Sequence, residues 1–427
     1  MEMDFKLKKL KSGIRVMVIP MPSLASATTT VWVKTGSRNE DQNVNGISHF
    51  LEHMVFKGGK KRPTAREIST AVDSIGGEFN AATSKDWTNF YIKSAVENIE
   101  TAFDVLSDMV LSPILDKDEI EREKGTIVEE INMYEDTPMY RIGDVFEQLI
   151  FEGSKLGWDI AGVEKTVRSI TREDFVKYRQ THYYPENIII TVAGNVKESQ
   201  VDKLVEKYFG GLKATKKSDF VQPKFEVNQN KFKLKLHSKK KEQAHFILGF
   251  LTEGRGYKGR FAQSILSAIM GNGMSSRLFI EVRERRGLAY SVRSSVDRYD
   301  EVGYFSTYAG VDPTKAEEAV KIILDQCYGM SSGKYPIAKA EFQKAKSFIK
   351  GHLALALEDT KDVSTFFGEQ ALFLEKPITP KEVYEQVEKV TIEQVLAEAK
   401  KIFVPEHLNL AIIGPYKNDA KFLKAIK

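Results

Sequence analysis

Cysteine is almost missing from this chain: 427 residues contain one, Cys327. A lone thiol cannot close an intrachain disulfide, so rigidity must come from packing, and the scarcity suits a reducing cytoplasm, the expected location. Long apolar runs are missing too. No stretch nears the roughly 20 apolar residues that a bilayer-spanning helix needs, so no membrane span is expected. The opening "MEMDFKLKKLKSGIRVMVIP" scatters charge through its apolar residues and lacks the unbroken core of a secretion signal. Strong charge of either sign is the third absence. Lys+Arg number 63 against 59 Asp+Glu, too small a surplus to make nucleic acid an expected partner. The densest basic stretches, "KATKKSD" and "HSKKKEQ", lie in and beside a polar connector and read as solvated faces.

What is present is a globular composition, 42% hydrophobic and 29% charged, in a chain long enough for two to four domains. An internal repeat organises it. At an offset of 220 positions, "SITREDFVKYRQTHYYPENIIITVAG" (169–194) meets "KVTIEQVLAEAKKIFVPEHLNLAIIG" (389–414). Thr171 falls on Thr391, Pro185-Glu186 on Pro405-Glu406 and Gly194 on Gly414, in the order helix, turn, apolar strand. The expected organisation is therefore a first domain at 1–212, a connector at 213–230 and a homologous second domain at 231–427.

Alternating runs such as "TTTVWVKTG", "NFYIKSAV" and "GYFSTYAGV" predict strands, and helical periodicity over 96–111 and 315–330 predicts helices. Strands and helices mixed within each half predict an α+β class: two homologous α/β sandwich domains, each an antiparallel-rich sheet with helices on one face.

Histidine is scarce, seven in all, yet two stand four positions apart in "ISHFLEHMVFKG" (47–58). Ile47, Phe50, Leu51, Met54 and Val55 recur as the apolar stripe of a helix. His49, Glu52 and His53 are left on its other side. Imidazoles at i and i+4 have Cβ atoms ~5–6 Å apart, close enough to bind one ion from adjacent turns. This is the H-x-x-E-H arrangement, two neutral imidazoles for zinc and a carboxylate for the water. The bland alternative is a wet helix flank.

A third ligand must come from elsewhere, and "DKDEIEREKGTIVEEINMYEDTP" is the richest source of carboxylates. It predicts a helix opening near Asp116 and stopped by Pro138, with Ile120, Ile127, Ile131 and Tyr134 buried. Composition alone does not choose among Glu119, Glu121, Glu123, Glu129 and Glu130.

Four stretches together, "HFLEHMVFKG", "GGEFNAATSKDWTNFY", "EREKGTIVEEINMYEDTP" and "SSRLFIEVRERRGLAYSV", resemble successive signatures of the pitrilysin superfamily, which includes insulin-degrading enzyme. The short chain is most similar to its bacterial, mitochondrial-processing-peptidase-like branch. The resemblance implies a zinc endopeptidase for peptides or unfolded polypeptide segments, with one zinc per chain held by His49, His53 and Glu130. The family spacing lands on Glu129 or Glu130, and the second position of the "VEE" step favours Glu130. It implies Glu52 as general base and Glu123 as a carboxylate orienting a ligand histidine. Asn80 and Ala81 correspond to backbone clamps on a substrate-binding strand edge, to which an extended peptide adds as a further strand. Arg283 and Tyr290 correspond to a pair that holds substrate and supports the oxyanion. Without the family, "RERRGLAY" reads as a charged helix end, and "GNGMSS" (271–276) reads as a helix-linking turn. The second half has no H-x-x-E-H.

Larger relatives join four such domains into a closed chamber, so two domains imply half of a clamshell and a homodimer as the expected assembly, a heterodimer remaining open. The same fold also occurs in scaffold subunits of respiratory complexes and in partner-dependent subunits. Both stand as alternatives to an active peptidase. Cobalt or manganese could occupy the same ligands.

Overall fold

The computed structural model describes residues 3–212, 224–227 and 229–426, so most of the expected connector lies outside the described residues. Within them the chain forms two compact units, and these do not follow its two halves. The first gathers Met1–Asn132, Trp158–Pro223 and Ala354–Lys381; the second gathers Met133–Gly157, Lys224–Leu353 and Glu382–Lys427. One segment from each half therefore belongs to the other unit.

Sheet one contains β1 (Lys6–Lys9), β2 (Arg15–Pro20), β3 (Ser26–Val33), β4 (Glu78–Thr83), β5 (Thr88–Ala95) and β6 (Ile188–Gly194), in the order β1-β2-β6-β3-β5-β4. Only β2 and β6 run parallel; the other pairs are antiparallel, with Val31 facing Ile190 on one side and Phe90 on the other. Strand β3 shows why both faces are covered. Ala27, Val31 and Val33 join the main core beneath helices Ile47–Val55 and Ile99–Leu111. On the opposite face, Thr28 and Thr30 hydrogen-bond Thr360 and Ser364 at 2.8 Å each, and Trp32 meets Gly368, all on helix Thr360–Phe373.

Sheet two contains β7 (Lys233–Ser238), β8 (Ala244–Glu253), β9 (Ala289–Arg298), β10 (Val302–Val311) and β11 (Asn409–Gly414), ordered β7-β11-β8-β10-β9. Here β11 and β7 are the parallel pair. Its main core lies under helices Arg260–Gly271, Ala316–Ser331 and Ile392–Ile402. Its other face carries helix Pro138–Ile150, where Phe146 and Tyr304 meet edge to face with ring centroids 5.3 Å apart.

Each unit is thus an α+β sandwich with an antiparallel-rich sheet, as expected. The helical layer expected on one face is joined by a lone helix on the other. The repeat is visible in detail: Thr171 and Thr391 each cap a helix by accepting from the backbone N–H three residues on, Asp174 and Gln394. Each helix leads through a Pro-started 3-10 turn into β6 or β11. Tyr134, expected on the buried side of its helix, is not buried. It is 37% exposed, because the helix Lys117–Asp136 has left the first core by that turn; Ile120 and Ile127 are buried and Ile131 is partly so. Among the described residues, no helix is long and apolar enough to cross a membrane.

Candidate metal centre

The site starts from a nine-residue helix, Ile47–Val55, anchored at both ends of its role. Its apolar stripe is buried: Ile47, Phe50, Leu51, Met54 and Val55 are each at most 1% exposed. Its start is fixed by Glu40, whose carboxylate accepts from the N–H groups of Gly46 at 2.8 Å and Ser48 at 2.8 Å and from the Asn45 side chain at 2.9 Å. The Gly46 and Ser48 N–H groups are backbone donors that a helix leaves unpaired at its first turn. Gly46 is in the left-handed region at φ 101°, and a Cβ there would lie 2.6 Å from the Ala161 carbonyl oxygen. A side chain at that position would push the helix off its seat.

The polar side of this helix meets the helix Lys117–Asp136. His49, His53 and Glu130 each offer a ligand atom, and these atoms lie within 4.8 Å of one another. Glu130 Oε2 is 3.7 Å from His49 Nε2 and 3.5 Å from His53 Nε2. Ligand atoms sharing one tetrahedral ion at ~2.0–2.1 Å each would stand roughly 3.4 Å apart. The donor set fits a zinc-type ion. Glu129, the neighbouring alternative, is exposed and outside the cluster.

Electrostatics agree with the geometry. Burial, helped by neighbouring His53, pushes His49 down to about 3, which leaves its imidazole neutral, the form that binds metals. His53 is raised instead: burial acts to lower it, but the hydrogen bond to Glu123 and the charges of Glu130, Glu123 and Glu52 outweigh burial. A place that favours a proton on His53 favours positive charge in general.

Glu123 lies on the helix Lys117–Asp136. It is 5% exposed, and its Oε1 lies 2.9 Å from His53 Nδ1, leaving Nε2 to face the cluster. Its Oε2 pairs with Lys57 Nζ at 2.5 Å. Glu52 lies on the same helix beside the histidines, and burial raises its carboxyl, opposed by a hydrogen bond from Thr83 and the charge of His53. Asn80 and Ala81 sit on β4, the edge of sheet one, where the Asn80 side chain accepts from the Ala81 N–H at 2.8 Å.

Arg283 and Tyr290 belong to the second unit and lie together there. The Arg283 guanidinium stands 5.3 Å from the Tyr290 ring centroid and 4.8 Å from that of Phe279, while Tyr290 is 79% exposed at the start of edge strand β9. The "RERRGLAY" stretch is not a plain helix end. Phe279–Glu284 is π-helical, with Arg285 N–H bonded to the Ile280 carbonyl five residues back. Such widened turns often mark functional sites. "GNGMSS" is a turn after helix Arg260–Gly271, as expected.

Sequence reasoning missed Glu40, Lys57 and Thr83. Lys57 carried a weak signal, since it follows His53 by four positions and so continues the polar side of the helix. Glu40 and Thr83 carried none, because their partners come from other elements.

Two α/β units with matching strand orders, one of them bearing an inverted H-x-x-E-H ligand set, define the class as that of the two-domain inverzincin-type proteins. Comparison with known proteins agrees. Residues 15–162 match the insulinase model (peptidase family M16), and residues 169–348 match the model of the peptidase M16 inactive domain. An uncharacterized zinc protease of Bacillus subtilis (strain 168), YmxG, is 36% identical over 96% of this chain and 98% of its own length. An uncharacterized zinc protease of Mycobacterium leprae (strain TN) is 34% identical over 95% of this chain and 91% of its own. The crystal structure of a protease from Helicobacter pylori has the same fold, with TM-score 0.90 at 24% identity over 97% of this chain and all of that one. The chain belongs to the insulinase family, peptidase family M16, within the pitrilysin superfamily.

Proposed function

We propose that this chain is a zinc-dependent endopeptidase that hydrolyses peptides or unfolded polypeptide segments. The observation that carries the reading is the convergence of His49, His53 and Glu130 beside Glu52. The names of its relatives as zinc proteases support it.

One zinc per chain, held by those three residues, would polarise the scissile carbonyl and the attacking water. Glu52 takes the water's proton and returns it to the leaving amine, and the raised carboxyl suits a group that must both accept and release one. Glu123 fixes the His53 ring through Nδ1, and Lys57 holds Glu123 in turn. An extended substrate adds to the free edge of β4 beside Asn80 and Ala81, so recognition rests on backbone hydrogen bonds and tolerates varied side chains. The Asn80 amide oxygen leaves the Ala81 N–H when that strand arrives. Arg283 and Tyr290 offer a cation and a phenol to substrate and to the developing oxyanion. The working form in this reading is a homodimer in the cytoplasm.

The test is metal analysis of protein purified without added metal, followed by a quenched-peptide assay before and after chelation. About one zinc per chain and hydrolysis that chelation abolishes and zinc restores are expected. Hydrolysis that persists after complete metal removal would overturn the reading.

A further inference from the structure

We infer that Thr83 is a positioning residue that fixes the Glu52 carboxylate relative to the strand on which substrate lies. The inference rests on the peptidase reading for its consequence, and on geometry for its substance.

Strand β4 alternates: Glu78, Asn80 and Ala82 are exposed, while Phe79, Ala81 and Thr83 are half-buried. The second set faces the ligand helix, since the Phe79 ring packs on Phe56, directly after that helix, at 5.5 Å between centroids. Thr83 closes the row. Its Oγ1 donates to Glu52 Oε2 at 2.5 Å, and Glu52 Oε1 has no hydrogen-bond partner among the described residues. A general base needs this division, one oxygen held and one free for the proton.

The donor is itself well fixed. Threonine is β-branched and stiff at χ1, and Thr83 is paired in register with Thr88 of β5. Glutamate has three soft torsions and would otherwise spread over several orientations. The hydroxyl therefore ties the base to the strand whose free edge receives the peptide. A shift of β4 moves substrate and Glu52 together, which keeps the reacting geometry constant while side chains of the substrate vary.

The experiment compares wild type, Thr83→Val, Thr83→Ser and Glu52→Gln in kcat, KM, zinc content and metal-free crystal structure. Valine keeps the shape of threonine and removes the donor; serine keeps the donor. Thr83→Val should lower kcat by roughly ten- to a hundredfold, with KM within about twofold and zinc content unchanged, and Thr83→Ser should recover most of the loss. In the crystals Glu52 should hold one orientation in wild type and leave it in Thr83→Val. A Thr83→Val enzyme within about twofold of wild-type kcat, or one changed mainly in KM, overturns the inference. So does an unmoved Glu52 side chain, whatever the kinetics. If wild type cleaves no peptide the peptidase reading falls, and the crystal comparison alone still decides whether Thr83 positions Glu52.

Discussion

In sheet one the edge strand β4 lies beside a helix that carries two histidines and a glutamate; in sheet two the edge strand β9 follows a π-helical turn that carries Arg283. The frames are otherwise alike. The order β2-β6-β3-β5-β4 matches β7-β11-β8-β10-β9, each with one parallel pair at the same place and antiparallel pairs beyond it. The first helix after the second strand of each core shows the divergence. In unit one it turns His49, Glu52 and His53 toward a partly open cluster. In unit two, helix Arg260–Gly271 buries Gln263 completely, and its amide donates to Glu253 and Glu398 at 3.0 Å each. A polar group with its partners satisfied inside the core is structural, whereas polar side chains gathered within ligand distance of one another form a candidate ion site. The two sheets keep the same strand order, and the equivalent helices differ in whether their polar groups are satisfied inside the core or gathered into a cluster.

The sharpest way to test that division is Glu52→Gln. An amide cannot accept the water's proton, so peptide hydrolysis should fall by about 10²- to 10⁴-fold while zinc stays near one per chain. Turnover at the wild-type rate would mean that the helix of unit one is as inert as its counterpart.

Joining the two units' chemistry is the next test. If a two-fold homodimer sets Arg283 and Tyr290 of one chain against the His-Glu cluster of the other, Glu52→Gln and Tyr290→Phe proteins should complement each other. After subunit exchange about half the dimers are mixed, each with one intact site, so roughly a quarter of wild-type activity should return. Exchange verified by mass with no return of activity would confine the pair to its own chain or remove it from the reaction.

A smaller effect separates two adjacent carboxylates. Glu130→Gln should weaken zinc affinity by at least about tenfold, and Glu129→Gln by less than about twofold, because only Glu130 reaches both histidines. Competition against a zinc-binding dye reads both. The reverse order would move the ligand by one residue.

Much of this was legible in the sequence for reasons that can be named. A five-residue motif on one helix brings its own geometry, so His49, Glu52 and His53 needed no fold to be placed. Strand alternation located β3, β5 and β10, and a repeat at constant offset exposed the duplication. Contacts across distant segments were not legible: Thr83 reaches Glu52 and Lys57 reaches Glu123 only because the fold closes loops that no periodicity records. The lone helices Pro138–Ile150 and Thr360–Phe373 were also hidden, since each lies in the unit of the other half. Strand β6 did hold a clue. All seven of its residues are buried, the continuous apolar pattern of a strand covered on both faces rather than one.

Those two lone helices supply the smallest and cleanest contrast, because each has a glycine in its interior. A Cβ on Gly368 would lie 2.3 Å from Trp32 Nε1 and 2.4 Å from its Cε2, in a face where Trp32 is wholly buried and hydrogen-bonded to Thr191. A Cβ on Gly143 would meet nothing within 4 Å. The same substitution should therefore have opposite signs. Gly368→Ala forces the helix off the sheet or the indole off its partner and should cost about 1–3 kcal/mol. Gly143→Ala removes backbone freedom from the unfolded chain without a clash and should stabilise by about 0.4–1 kcal/mol. Urea unfolding of both variants, followed by tryptophan fluorescence and circular dichroism, reads the pair. Equal and small effects would mean that Thr360–Phe373 does not press on sheet one as closely as the Trp32 contact requires, and that the two faces of the first sheet are not packed alike.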